Sequence, residues 1–237
     1  MKKSKLFPMI IGCARLAIAT LVTLILFGSV KADTIAAWTF ETSVPATAGP
    51  FAAEVGTGSA SGSHAGTVTY SSPAGNGSAH SFSSNTWTIG DYYQFQVSTA
   101  DISGIQLDWD QTSSNTGPRD YRLAYSTDLV NFTDINTYSV LANAAPNPAW
   151  NATTSSSIYH FTSNLSSNTA LENMSSVYFR LIDNSTVSAN NGTVAAGGTD
   201  RVDNFTVTGT VVPEPGSIIL LGIAGLLGLA SFKRRRK

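Results

Sequence analysis

The chain has 237 residues, of which 42% are hydrophobic and 12% charged, and a formal net charge of −1. That near-neutrality hides an asymmetry, because ten of the cations sit in residues 1–32 and 233–237 while residues 33–212 hold fourteen acids, four arginines and no lysine, a formal −10. A segment of that sign excludes nucleic-acid binding through phosphates, and a single cysteine excludes an intrachain disulfide.

At the N-terminus, Lys2, Lys3, Lys5 and Arg15 precede an apolar run from Leu16 to Phe27, and Val30-Lys31-Ala32 has the small-residue ending of a cleavage site. This pattern predicts a signal peptide over residues 1–32, cut between Ala32 and Asp33, with a permanent N-terminal anchor as the rival reading. Cys13 lies before the apolar run, the wrong side for a lipoprotein box. Its removal leaves a mature chain with no thiol nucleophile and no thiolate metal site.

From Asp33 onward the chain is rich in Ser, Thr, Asn and Gly, and apolar residues alternate with polar ones. Strands are expected near Ile35–Phe40, Thr67–Tyr70 and Tyr92–Val97. Ile105, Leu107 and Trp109 then face one way, against Gln106, Asp108 and Asp110. Tyr121, Leu123 and Tyr125 repeat the pattern, followed by Thr137–Leu141, Ser157–Phe161, the Val177-Phe179-Leu181 run, and Phe205 with Val207. About ten short, half-buried strands bounded by Gly, Asn, Ser and Pro clusters predict an all-β fold. The expectation is one antiparallel β-sandwich, a jelly roll, over residues 33–210. No internal repeat points to a propeller or solenoid.

No catalytic residue is expected. His64, His80 and His160 lack metal-ligand spacing, and no G-x-S-x-G elbow or phosphate loop occurs. His64 and His80 lie in Gly/Ser-rich stretches that predict solvated rings, and His160 reads as strand surface. Asp108 and Asp110 flank Trp109 as paired glycosidase carboxylates would, but outward, solvent-facing strand alternation is the leading explanation of them.

The C-terminal segment, residues 211–237, joins Pro213-Glu214-Pro215 to sixteen uncharged residues, Ser217–Phe232, and then to Lys233, Arg234, Arg235, Arg236 and Lys237. The uncharged stretch predicts a single transmembrane helix at the short end of the usual range. The five cations hold its end in the cytoplasm, and the prolines separate it from what precedes. Together these parts resemble the PEP-CTERM sorting signal. That resemblance implies recognition by an exosortase, a membrane-embedded cysteine transpeptidase, and removal of the tail at or near the triplet. It also implies passage through the export machinery, an inner-membrane precursor, and a final place at the surface or in the extracellular matrix of an exopolysaccharide-making bacterium.

A second resemblance spans the middle segment. Ile35-Ala36-Ala37-Trp38-Thr39-Phe40-Glu41 opens it, Asp120-Tyr121-Arg122-Leu123-Ala124-Tyr125-Ser126-Thr127-Asp128 and Asn131-Phe132-Thr133 lie within it, and Asp200-Arg201-Val202-Asp203-Asn204-Phe205-Thr206-Val207 closes it. The order is similar to galactose-binding-like and carbohydrate-binding jelly rolls. It implies a structural calcium shared by Glu41 and Asp203, with Asn204 nearby. The rival reading makes Glu41 an exposed strand end and Asp203 a partner of Arg201 or of turn amides. It also implies sugar stacking on exposed aromatics chosen from Trp87, Trp150, Tyr92 and Tyr93, of which Trp87 and Tyr92 are preferred. Three functions follow as expectations: a structural or adhesive surface protein, a carbohydrate-binding module, or a secreted hydrolase whose site the sequence does not display.

Overall fold

Alternating side chains need two surfaces to bury against, and the computed structural model shows how this chain supplies them over the residues it describes, 32–212. The described strands are β1 (Asp33–Trp38), β2 (Phe51–Ala52), β3 (Val55–Gly56), β4 (Gly58–Ser63), β5 (Tyr70–Ser71), β6 (Phe82–Ser84) and β7 (Tyr92–Val97). They continue with β8 (Ile102–Ser113), β9 (Asp120–Ser126), β10 (Thr133–Ser139), β11 (His160–Asn164), β12 (Val177–Asp183) and β13 (Asp200–Val211). One sheet, called A here, has the order β11-β8-β13-β1-β3, with β6 also paired to β13 and β5 to β6. The other, sheet B, has the order β10-β9-β12-β7-β4-β2. Every named strand pair is antiparallel, and the all-β antiparallel expectation is met.

The inward faces meet in a core of aromatics. Sheet A contributes Trp38, Leu107, Trp109, Phe205 and Val207, and sheet B contributes Tyr93, Phe95, Leu123, Phe179 and Leu181, none more than 1% exposed. Phe95 of β7 and Phe205 of β13 stack across the interior with centroids 3.6 Å apart, and Trp38 meets both edge-on. Burial of each such ring stabilises by roughly 1.5–3 kcal/mol, and the ring-to-ring geometry locks the two sheets together.

β13 carries the fold's main irregularity. Asp203 pairs with Asp110 and Thr206 with Asp108, so Asn204 and Phe205 together face the single residue Trp109. Asn204 adopts φ +52°, the left-handed conformation that Asn tolerates better than most residues. Asn204 and Phe205 thus make a β-bulge inside a twelve-residue strand.

Four strands escaped sequence reading: β2, β3, β4 and β6. β4 is Gly-Ser-Ala-Ser-Gly-Ser, with no apolar alternation of its own, and becomes a strand by pairing with β7. The expected Thr67–Tyr70 strand is reduced to Tyr70–Ser71, and Ser157–Phe161 divides into a 3-10 turn at Ser157–Tyr159 followed by β11. The expected signal peptide and the transmembrane helix at 217–232 lie outside the described residues. No helix among the described residues is long and apolar enough to cross a membrane.

Candidate functional site

Strand alternation assigns the outward side chains of sheet B. Between the buried Tyr93, Phe95 and Val97, β7 turns Tyr92, Gln94 and Gln96 outward, each half-buried. Between Val177, Phe179 and Leu181, β12 turns out Tyr178 and Arg180. Register places Arg180 beside Gln94 on one side and Ala124 on the other, and Ile182 beside Tyr92 and Arg122. The hairpin from β9 to β10 adds Phe132. The Arg180 guanidinium carbon sits 3.8 Å from the Tyr92 ring centroid and 3.7 Å from that of Phe132. Its Nε donates to Gln94 Oε1 at 2.8 Å. Partial burial, first, and the neighbouring Arg122 draw the Arg180 pKa below its ordinary value, while Tyr92 opposes them; the group stays cationic at neutral pH.

The preferred aromatics separate. Tyr92 stands on this open face, as a stacking residue requires. Trp87 does not: it is 4% exposed, donates Nε1–H to the Ser84 carbonyl, and packs on His64, Tyr93 and Tyr121. This corrects the stacking expectation for Trp87, because indole burial in the core outweighs any surface role. Trp150 and Tyr93 are buried as well.

His64 corrects a second expectation, since its side chain is enclosed rather than solvated. Its Nε2 lies 3.1 Å from Ser84 Oγ and its Nδ1 3.1 Å from Asp91 Oδ2. Carboxylate, imidazole and hydroxyl thus stand in the order of a hydrolytic relay, from residues 64, 84 and 91 that no sequence motif links. The chemistry does not follow. Nδ1 has no hydrogen-bond partner and meets Asp91 only as a close charge contact. Ser84 Oγ is buried and shared with the Tyr93 hydroxyl, which also reaches the Asp200 carbonyl. Burial pulls the His64 pKa down against the pull of Asp91, so the imidazole is neutral and fills the core.

Nearby, Asp200 is fully enclosed, accepting from Gln111 Nε2 at 3.1 Å and Ser113 Oγ at 2.9 Å. Asp183 Oδ2 and the Tyr121 hydroxyl are buried with no hydrogen-bond partner. Burial pushes both the Asp183 and Asp200 carboxyls up to about 7.

Glu41, Asp203 and Asn204 are brought together by one loop. Glu41 accepts from the His80 backbone N–H at 2.7 Å. Asp203 Oδ2 accepts from the Asn76 N–H at 2.9 Å and the Ser78 hydroxyl at 2.7 Å, while Oδ1 accepts from the Asn204 N–H at 2.8 Å. Gly75 permits this closeness, since a Cβ there would lie 2.2 Å from Asp203 Oδ2. Burial pushes the Asp203 carboxyl up to about 7. The Ser78 hydroxyl that donates to Asp203 also reaches the His80 carbonyl at 3.2 Å; calcium takes six to eight oxygen ligands. Among the described residues no three His, Cys, Asp or Glu side chains are placed to hold a metal. As arranged, the set forms a loop clasp, with Glu41 and Asp203 holding the backbone of the 76–80 loop.

Asp110, expected in solvent, is 5% exposed and holds two partners: His160 Nδ1 at 2.9 Å and Asn204 Nδ2 at 2.9 Å. Asp108 lies 3.6 Å from His160 Nε2. Both carboxylates thus face one imidazole, Asp110 through a hydrogen bond and Asp108 through a longer contact. Two shallow polar recesses lie on sheet B, one of about 290 Å³ around Asp120, Tyr138 and Ser185 and one of about 280 Å³ around Ser59, Gln96 and Ser175. Asp120 is held by Arg119, Ser139 and Ser185, and the Arg119 bond above all lowers its carboxyl to about 2.

Comparison with known proteins bears on the two parts of the chain differently. The cleaved adhesin domain of Lys-gingipain from Porphyromonas gingivalis is similar in structure at 13% identity, with 76% of this chain and 98% of that one covered and a TM-score of 0.40. TmCBM61 in complex with β-1,4-galactotriose matches at 12% identity over 71% of this chain and 92% of that one, with a TM-score of 0.37. Clostridium thermocellum endo-1,4-β-D-xylanase modules complexed with xylohexaose match at 10% identity over 75% of this chain and 28% of that one, with a TM-score of 0.43. No curated protein matches the chain. Residues 211–237 match the PEP-CTERM protein-sorting motif, and that match begins on the last residue of β13. The chain is therefore an antiparallel β-sandwich that runs into a PEP-CTERM sorting motif, a motif that implies exosortase-dependent export.

Proposed function

We propose that this protein is an exported bacterial surface or matrix protein whose sandwich has an adhesive role. In this reading a signal peptide is removed after Ala32, and an exosortase cuts at or near Pro213-Glu214-Pro215. The observation that carries it is the direct passage from β13 into the sorting motif. β13 is paired with β8 on one side and β1 on the other, so the residue that leaves the sandwich belongs to its most extensively paired strand. β1 starts at Asp33, so cleavage after Ala32 would spare every residue of the sandwich. Before processing, Ser217–Phe232 would anchor the precursor in the membrane, its five cations inside.

The adhesive part of the reading rests on the outward face of sheet B, where Tyr92, Tyr178, Gln94 and Gln96 offer ring faces and amides of the kind that bind sugars. A polysaccharide is the partner this face suits. No catalytic step is proposed: the relay-like trio of His64, Ser84 and Asp91 is sealed in the core. The test is the intact mass of the protein recovered from its host. Loss of the residues after Pro215, or a mass added at that new end, supports the reading; a chain still ending in Lys237 refutes processing.

A further inference from the structure

We infer that Arg180 is a recognition point for carboxylate-bearing sugars, the uronate units of an acidic polysaccharide, on the open face of sheet B. The inference deepens the adhesive reading above and rests on it.

The four arginines of the described residues differ in what they touch. Arg119 lies on Asp120 and Arg122 on Asp134. Arg201 is half-buried on β13, its Nε buried without a partner, and burial lowers its pKa against the pull of Asp200. Arg180 alone lies between two rings, with only its Nε bonded, to Gln94. Among the described residues its two terminal nitrogens meet no carboxylate and no hydrogen-bond acceptor, and they are not enclosed.

Such a group is built to receive an anion. Stacking on Tyr92 and Phe132 removes the side-chain freedom that an arginine ordinarily loses on binding. The Gln94 contact sets the rotation of the fork, so its free edge is presented as a fixed pair of N–H donors. A pair of that geometry matches the two oxygens of a carboxylate. The surroundings then select among anions. With fourteen acids and four arginines, residues 33–212 repel polyanions at long range. Binding of any anion must therefore be won locally at Arg180, where the fork matches a single carboxylate flanked by hydroxyls. Tyr92 and Tyr178 offer ring faces, and Gln94, Gln96 and Ser59 offer amides and a hydroxyl on the same side of the sheet.

The test uses the full chain in detergent micelles and a panel of polygalacturonate, alginate and hyaluronate, each also as its methyl ester. The ester keeps the sugar and removes the charge, so wild-type protein alone decides the question. We expect the acid forms to bind at least roughly tenfold more tightly than the esters, the worth of a charge-assisted pair. Arg180→Lys, which keeps the charge but loses the fork and the stack, should abolish that preference without changing the melting temperature by more than a few degrees. Equal binding of acid and ester, or a preference that survives Arg180→Lys, overturns the carboxylate assignment and leaves glycan adhesion standing. Failure to bind any acid, any ester or a neutral glycan array overturns both.

Discussion

The two sheets share a core but finish their outer faces in opposite ways. On sheet A the polar groups close on one another: Asp110 holds His160 and Asn204, and Asp203 clasps the loop that carries Asn76 and Ser78. On sheet B a guanidinium stands between two rings with its far edge open. A satisfied network stabilises and specifies the fold, whereas an unsatisfied donor on a rigid platform is available to something else. The sheet that joins the sorting tail is thus the closed one, and the sheet facing away from the shared core on the other side is the open one.

The largest expected effect tests what the sheets share. Phe205→Ala removes the ring stacked on Phe95 and should cost about 3–5 kcal/mol in denaturant unfolding, and Trp87→Ala a comparable amount. Tyr92→Ala should cost less than about 1 kcal/mol yet weaken glycan binding. A reversed pattern, with Trp87→Ala stable and binding-defective, would restore Trp87 to the surface and break the contrast.

Next in size is the response to pH. Asp183, Asp200 and Asp203 titrate near 7 in the folded chain because burial disfavours their charge, against about 3.9 when unfolded. Between those values the folded state holds more protons, so stability falls as pH rises from about 4 to about 7 and then levels. The difference between pH 5 and pH 8 should be on the order of a few kcal/mol, read as a urea midpoint higher at pH 5. Asp120 acts oppositely. Held near 2, chiefly by Arg119, it adds stability above the unfolded pKa that disappears as pH falls through the folded value. A midpoint that rises steadily from pH 5 to pH 8 would contradict the burial of the three aspartates.

Smaller still is the exposed pair on sheet B, where Arg122→Ala should change stability by about 0–1 kcal/mol, as solvent-facing ion pairs do. The smallest expected response is to calcium: millimolar calcium or a chelator should leave the melting temperature unchanged. A rise of several degrees would return Glu41 and Asp203 to the role of ligands, with Asn76 and Ser78 turned away.

Much of the architecture was legible because strand alternation depends on local sequence alone. Tyr92–Val97 is bounded as expected, and the runs around Trp109, Leu123 and Phe179 lie inside β8, β9 and β12. β4 was illegible because its strand state comes from β7, not from its own Gly and Ser. Tyr92 was found as an aromatic at an outward position. Arg180 was not, since its neighbours Gln94 and Phe132 lie 86 and 48 positions away and meet it only through pairing and a hairpin. Trp87 misled for the converse reason: His64, just past β4, and Tyr121 of β9 arrive from elsewhere in the chain to cover it.

The sequence by itself determined the fold class, the acidic lysine-free character of the middle segment and the sorting motif at 211–237, because composition, period and contiguous order are local properties of the chain. Only the tertiary structure decided which aromatics are core, which carboxylates are buried, and which arginine is left open. Those outcomes depend on what approaches from elsewhere in the chain. Strand order and register, with the bulge at Asn204, set those approaches.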